Sequence, residues 1–130
     1  MSGPNFIANG TIQPSTFVVI DTTQAGNAVI AASGNSTPII GIAQEWSKLA
    51  PTPGQSSEAA DQGDEITVYS ESDVCLLNAT SAGWTAGDLL TSNASGFGVT
   101  GTSGQQSGAQ ALTTMAGVGL GRVKVINRKV

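Results

Sequence analysis

Apolar residues in this chain come in short runs, mostly β-branched, each cut off by turn-forming residues. Phe17-Val18-Val19-Ile20 is followed by Gln24-Ala25-Gly26-Asn27, Ala28-Val29-Ile30-Ala31 by Gly34-Asn35-Ser36, and then comes Pro38-Ile39-Ile40-Gly41-Ile42. Runs of four or five such residues at this spacing predict strands of a compact β fold. Nowhere do apolar residues recur at helical spacing over more than about two turns, so little helix is expected. With 130 residues, one domain with its own core is the simplest organisation. The expected class is all-β, a small barrel-like or tulip-like domain.

The segment 1–14 carries Pro4 and Pro14 and scatters Phe6, Ile7 and Ile12 among polar residues. Neither a helix nor a sheet interior favours that pattern, so it is expected to be a flexible N-terminal arm preceding a single domain over 15–130. Residues 45–62, with Pro51, Pro53 and Gly54, read as a long loop. A hairpin is expected next, pairing Ile66 and Val68 with Val74 and Leu76 across a turn at Glu71-Ser72. Ser81-Ala82-Gly83 is expected to turn the chain toward a short strand at Leu89-Leu90. In the last segment the apolar alternation slips from Val118 and Leu120 to Val123 and Val125, which predicts a β-bulge at Gly121.

Charged residues make up 11% of the chain, against about 25% in an average soluble protein, so the polar surface is mostly uncharged. All nine acids lie between Asp21 and Asp88, while four of the five bases are Arg122, Lys124, Arg128 and Lys129. A net charge of −4 argues against a nucleic-acid partner, whose phosphates need clustered Lys and Arg. Arg128 and Lys129 remain candidates for contact with an acidic partner. The start of the chain lacks a basic region followed by an apolar run, and no window is long and apolar enough for a helical span, so a soluble protein made in a reducing cytoplasm is expected.

Familiar catalytic chemistry has little to work with. The chain has no histidine, and its single cysteine, Cys75, sits in an apolar run that reads as a buried strand. Asp61, Asp64 and Glu65 fit no calcium-loop spacing and are expected to be solvated. The charge-free stretch 92–110 contains Gly96-x-Gly98-x-x-Gly101, but a dinucleotide loop needs a helix after the glycines, and more Gly, Ser and Gln follow instead. That stretch is expected to be an exposed connection between strands. No catalytic residue, metal or cofactor is expected. Trp46 and Trp84 each stand beside turn residues and are either core plugs or exposed anchors for a partner.

A chain of motifs in order carries a resemblance: Pro14-Ser15-Thr16-Phe17-Val18, Val29-Ile30, Pro38-Ile39-Ile40-Gly41-Ile42-Ala43, Gly63-Asp64 before Ile66-Thr67-Val68, Ala86-Gly87-Asp88-Leu89-Leu90, and Val118-Gly119 to Val125-Ile126. In this order over residues 14–130 the chain resembles the head decoration, or capsid cement, proteins of tailed bacteriophages, similar in plan to the lambda head-stabilising protein. The resemblance implies a non-enzymatic virion protein, made in the host cytoplasm, on the outer surface of a mature, expanded capsid. It implies the major capsid protein and copies of itself, as a homotrimer, as partners, with no nucleic acid, membrane or small-molecule substrate. It assigns shell contacts to Pro4, Phe6, Ile7, Ile12 and Pro14 of the arm. The alternative function is a phage adhesive module, a head or tail fibre piece that binds host surface glycans.

Overall fold

The computed structural model describes residues 5–20, 28–34, 39–43, 65–102 and 104–129, and of Asn5, Glu65, Asn127, Arg128 and Lys129 it describes the backbone. The described residues form ten strands: β1 (Asn5–Ala8), β2 (Phe17–Ile20), β3 (Ala28–Ala31), β4 (Ile39–Ala43), β5 (Glu65–Tyr69), β6 (Val74–Ala79), β7 (Leu89–Ser92), β8 (Gly98–Thr100), β9 (Gln106–Ala111) and β10 (Gly119–Lys129). The all-β class and the barrel architecture expected from the sequence are both present, and the barrel occurs twice. One closed barrel has strand order β1-β3-β2-β4-β5 and the other β10-β6-β8-β7-β9. Closure removes the unpaired sheet edges that an open five-stranded sheet would present.

The two barrels repeat one topology at one register. β1 runs parallel to β3, with Ala8 opposite Val29, as β6 runs parallel to β8, with Ala79 opposite Gly98. Val18 faces Ala31 where Leu90 faces Thr100, and Phe17 faces Ile42 where Leu89 faces Gln110. Phe6 faces Ile66 where Leu77 faces Gly121. Even the turn before the second strand of each barrel matches: Ala43 donates its N–H to Thr16 O at 2.8 Å, and Ala111 donates to Asp88 O at 2.9 Å. The chain is a tandem of two structurally equivalent halves, meeting between Tyr69 and Val74.

Each half has its own filling. The first barrel encloses Ala8, Ile12, Val18, Val29, Ala43, Ile66 and Val68. The second core joins Cys75, Leu77, Ala79, Trp84, Leu90, Val123 and Val125 to Phe17, Val19, Ile39 and Ile42 of β2 and β4, so the outward side of the first barrel packs against the second. Gly108 of β9 makes that packing possible, because a Cβ there would lie 2.6 Å from Phe17 Cε1 and 2.7 Å from Ile39 Cγ2. Hydrogen bonds also tie the halves together: Phe17 N–H donates to Gly96 O at 2.8 Å and Asn78 N–H to Ser15 O at 2.9 Å.

Four sequence expectations need correction. Residues 5–14 are no free arm: β1 closes the first barrel between β3 and β5, and Ala8 and Ile12 are buried in its core. The scattered apolar pattern of 1–14 is that of a four-residue strand followed by a core plug. β5 and β6 do not form a hairpin; they belong to different barrels, and the turn at Glu71-Ser72 hands the chain from one to the other. Val125 holds that crossover, accepting from Ser72 N–H and donating to Asp73 O.

The charge-free stretch 92–110 is not an exposed loop either, since it supplies β8 and most of β9, with Gly98, Ser107, Gly108 and Ala109 buried. Its small residues are there because large side chains of neighbouring strands press on it. Finally, Gly121 lies in unbroken register with β6, and the irregularity in β10 falls between Val125 and Arg128. The phase slip has another origin: Gly121, Val123 and Val125 are buried while Val118 and Leu120 face out, at 77% and 50% exposure.

Candidate interaction surface

Those exposed apolar residues belong to a larger face on the outside of the second barrel. Along β6, Val74, Leu76 and Asn78 alternate with the buried Cys75, Leu77 and Ala79. Along β10, Leu120, Arg122 and Lys124 alternate with the buried Gly121, Val123 and Val125. Register pairs the two rows directly: Leu120 opposite Asn78, Arg122 opposite Leu76, Lys124 opposite Val74. Neither Arg122 nor Lys124 has a carboxylate partner among the described residues.

Two shallow cavities open on this face and share Leu120 as a wall. The larger, about 520 Å³, is lined by Val74, Leu76, Thr113 and Arg122 among others. The smaller, about 310 Å³, runs from Leu120 and Asn78 to Phe97 and the Gln13-Pro14-Ser15 turn of the first barrel. Asn78 anchors that wall by donating from Nδ2 to Pro14 O at 2.9 Å. Beneath it the Ser15 hydroxyl is buried and finds no hydrogen-bond partner among the described residues. The composition is that of a protein-contact patch, apolar side chains interleaved with cations.

The residues singled out in the sequence are scattered by the fold. Ile12 is fully buried and Phe6 packs partly against the first core, so neither offers a free contact; Ile7, at 38% exposure, does. Pro14 is half-buried in the wall of the smaller cavity. Trp84 is no surface anchor: it is 4% exposed and donates from Nε1 to Thr113 O at 2.8 Å, plugging the second barrel. The Arg128 and Lys129 backbones end β10 opposite Ser107 and Gln106. Pro4, Trp46, Asp61 and Asp64 lie outside the described residues. Cys75 is buried. Gly96 turns the chain between β7 and β8 at φ 82°, with its carbonyl bonded to Phe17, and among the described residues no group of acids and cysteines could hold a metal ion.

Sequence reasoning missed the outer face of β6 and β10 itself. Its signal was the apolar slip at Val118 and Leu120, which read as a bulge when it marks apolar residues turned to solvent.

No protein-family model matches the chain, and no curated protein matches it. Among solved structures, the chain is similar in fold to the N base of the head fibre protein gp8.5 of bacteriophage phi29. The TM-score is 0.56 at 13% identity, over 98% of this chain and 95% of that one. The two chains therefore share an architecture along nearly their whole lengths.

Proposed function

We propose that this protein is a structural component of a phage virion, which binds the outer surface of the mature, expanded head and stabilises it as a decoration protein. The observation that carries this reading is the fold held in common, over nearly the full length of both chains, with a phage head-fibre base. The exposed apolar and cationic face of β6 and β10 supports it by offering a surface for protein contacts. The partners in this reading are the major capsid protein and further copies of the chain, as a homotrimer. Neither catalysis nor a cofactor is part of it.

Such a protein works by preferring one state of its target. If it binds the expanded lattice and not the compact one, each occupied site stabilises the expanded form by RT ln(1 + [L]/Kd). A trimer bridging several shell subunits multiplies modest contacts through effective concentration. The test is co-sedimentation of the purified protein with expanded and with unexpanded shells of the phage that encodes it. Coating of the expanded shells alone is expected; equal coating of both, or of neither, would overturn the reading.

A second reading, an adhesive module that binds host surface glycans, is favoured by the neighbour being the base of a fibre. Retention of the isolated protein on host cells without shells would select it.

A further inference from the structure

We infer that the smaller cavity, at the junction of the two barrels, is a binding site for one pyranose unit of a neutral polysaccharide. The inference rests on the adhesive reading above and adds where the sugar sits and which groups hold it. Two independent features carry it, the chemistry of the lining and a strained residue without a partner in the wall.

The described lining consists of Gln13, Pro14, Ser15, Asn78, Phe97 and Leu120, with no charged side chain among them. A pyranose offers hydroxyls that both donate and accept, together with an apolar C–H face. Amide and hydroxyl side chains answer the hydroxyls, since each carries a donor and an acceptor, and an aromatic ring beside aliphatic walls answers the C–H face. A charged ligand would find no counter-ion in this lining, and its desolvation would go uncompensated.

Both barrels hold these groups in place. Phe97 is half-buried, its N–H donates to Asn93 Oδ1 at 3.0 Å, and its carbonyl accepts from Asn93 N–H at 3.0 Å. Asn78 commits Nδ2 to Pro14 O at 2.9 Å and Ser15 O at 3.2 Å, which fixes its amide plane and leaves Oδ1 for a ligand. Groups fixed in advance lose little freedom on binding.

Ser15 supplies the second feature. It is 1% exposed, its hydroxyl has no hydrogen-bond partner among the described residues, and its φ is 54°. The equivalent turn of the second barrel has Gly87, which meets the same backbone requirement with neither the strain nor a hydroxyl to satisfy. A residue costly on both counts, standing in the wall of a cavity, is explained by a partner that arrives through that cavity. A sugar hydroxyl is such a partner.

The test is an NMR titration of the isotope-labelled full chain with the methyl glycosides of glucose, galactose, mannose, rhamnose and N-acetylglucosamine, beside retention of the chain on host cells. At least one glycoside is expected to shift the side-chain amides of Gln13 and Asn78 and the backbone amide of Phe97 to saturation. Ser15→Gly is expected to keep or raise the melting temperature and yet weaken that binding at least about fivefold. Phe97→Leu is expected to weaken it as well. No shift at these amides with any of the glycosides, or equal binding by Ser15→Gly, would overturn the site. Cell retention separates that failure from failure of the adhesive reading. Cells that hold the wild type and Ser15→Gly alike would keep the adhesive reading and put its sugar elsewhere, and cells that hold neither would remove the adhesive reading itself.

Discussion

Ser15 and Gly87 occupy the same position in the two barrels, two residues before β2 and β7, and both hold a positive φ, 54° and 96°. Glycine adopts that conformation without steric cost, whereas a residue with a Cβ is strained by about 1 kcal/mol or more. Ser15 adds a buried hydroxyl with no partner among the described residues, itself a cost of about 1–3 kcal/mol. Replacing Ser15 with glycine is therefore expected to stabilise the protein by about 1 kcal/mol after the lost packing is subtracted, raising the melting temperature by about 3–5 °C. A calorimetric scan checks it, and an unchanged or lowered melting temperature would mean that the hydroxyl has a partner.

Trp84 and Ile12 are a second equivalent pair, each three residues ahead of that turn and each buried in its barrel. The neighbours compensate for the difference in size. Where the first barrel sets Val29 and Ile66 near Ile12, the second has Gly98 and Gly121, whose added Cβ atoms would lie 2.9 and 2.5 Å from the Trp84 ring. Trp84→Leu alone is expected to cost about 3 kcal/mol through the cavity it leaves, and Gly121→Ala alone about 1–3 kcal/mol through overpacking. The double variant is expected to be more stable than the sum of these, by at least about 1 kcal/mol in a denaturant cycle. Additive losses would contradict the compensation.

The contact between the barrels turns on Gly108. A methyl group at that position meets Phe17 and Ile39 at once, so Gly108→Ala is expected to destabilise by about 1–3 kcal/mol. Combining it with Phe17→Leu removes the Cε1 atom in the way, so the double variant is expected to lose less than the two single variants together, as urea midpoints would reveal.

Removing residues 1–8 takes β1 out of a closed barrel and exposes the backbone edges of β3 and β5, along with the space Ala8 fills. Cooperative unfolding of the first barrel is expected to be lost, with amide exchange in β2–β5 accelerated and the fluorescence of Trp84 in the second barrel less affected. Exchange protection equal to that of the full chain would mean that β1 is dispensable, as a free arm would be.

Strands β2, β3 and β4 were readable because they are rich in β-branched residues and bounded by turn formers. The tandem repeat was not, although both of its signatures stood among the motifs. Pro14-Ser15-Thr16-Phe17-Val18 and Ala86-Gly87-Asp88-Leu89-Leu90 share no identical residue. What they share is a backbone requirement, a left-handed turn residue before an apolar strand, and a capping bond of opposite polarity at one position: Thr16 Oγ1 donates to Gln13 O at 2.8 Å, while Asp88 Oδ2 accepts from Thr85 N–H at 3.0 Å. β8 and β9 were hidden because their small residues answer to Phe17, Leu77 and Trp84, distant in sequence. The interaction face was hidden for the opposite reason, since exposed Val118 and Leu120 look like core residues until their register is known.

The measurement that bears most directly on the central proposal is a cryo-electron microscopy reconstruction of the mature virion carrying this protein. The account predicts density for the two-barrel fold on the outer surface of the expanded head. A bare head, with the protein on the tail or absent from the particle, would contradict it.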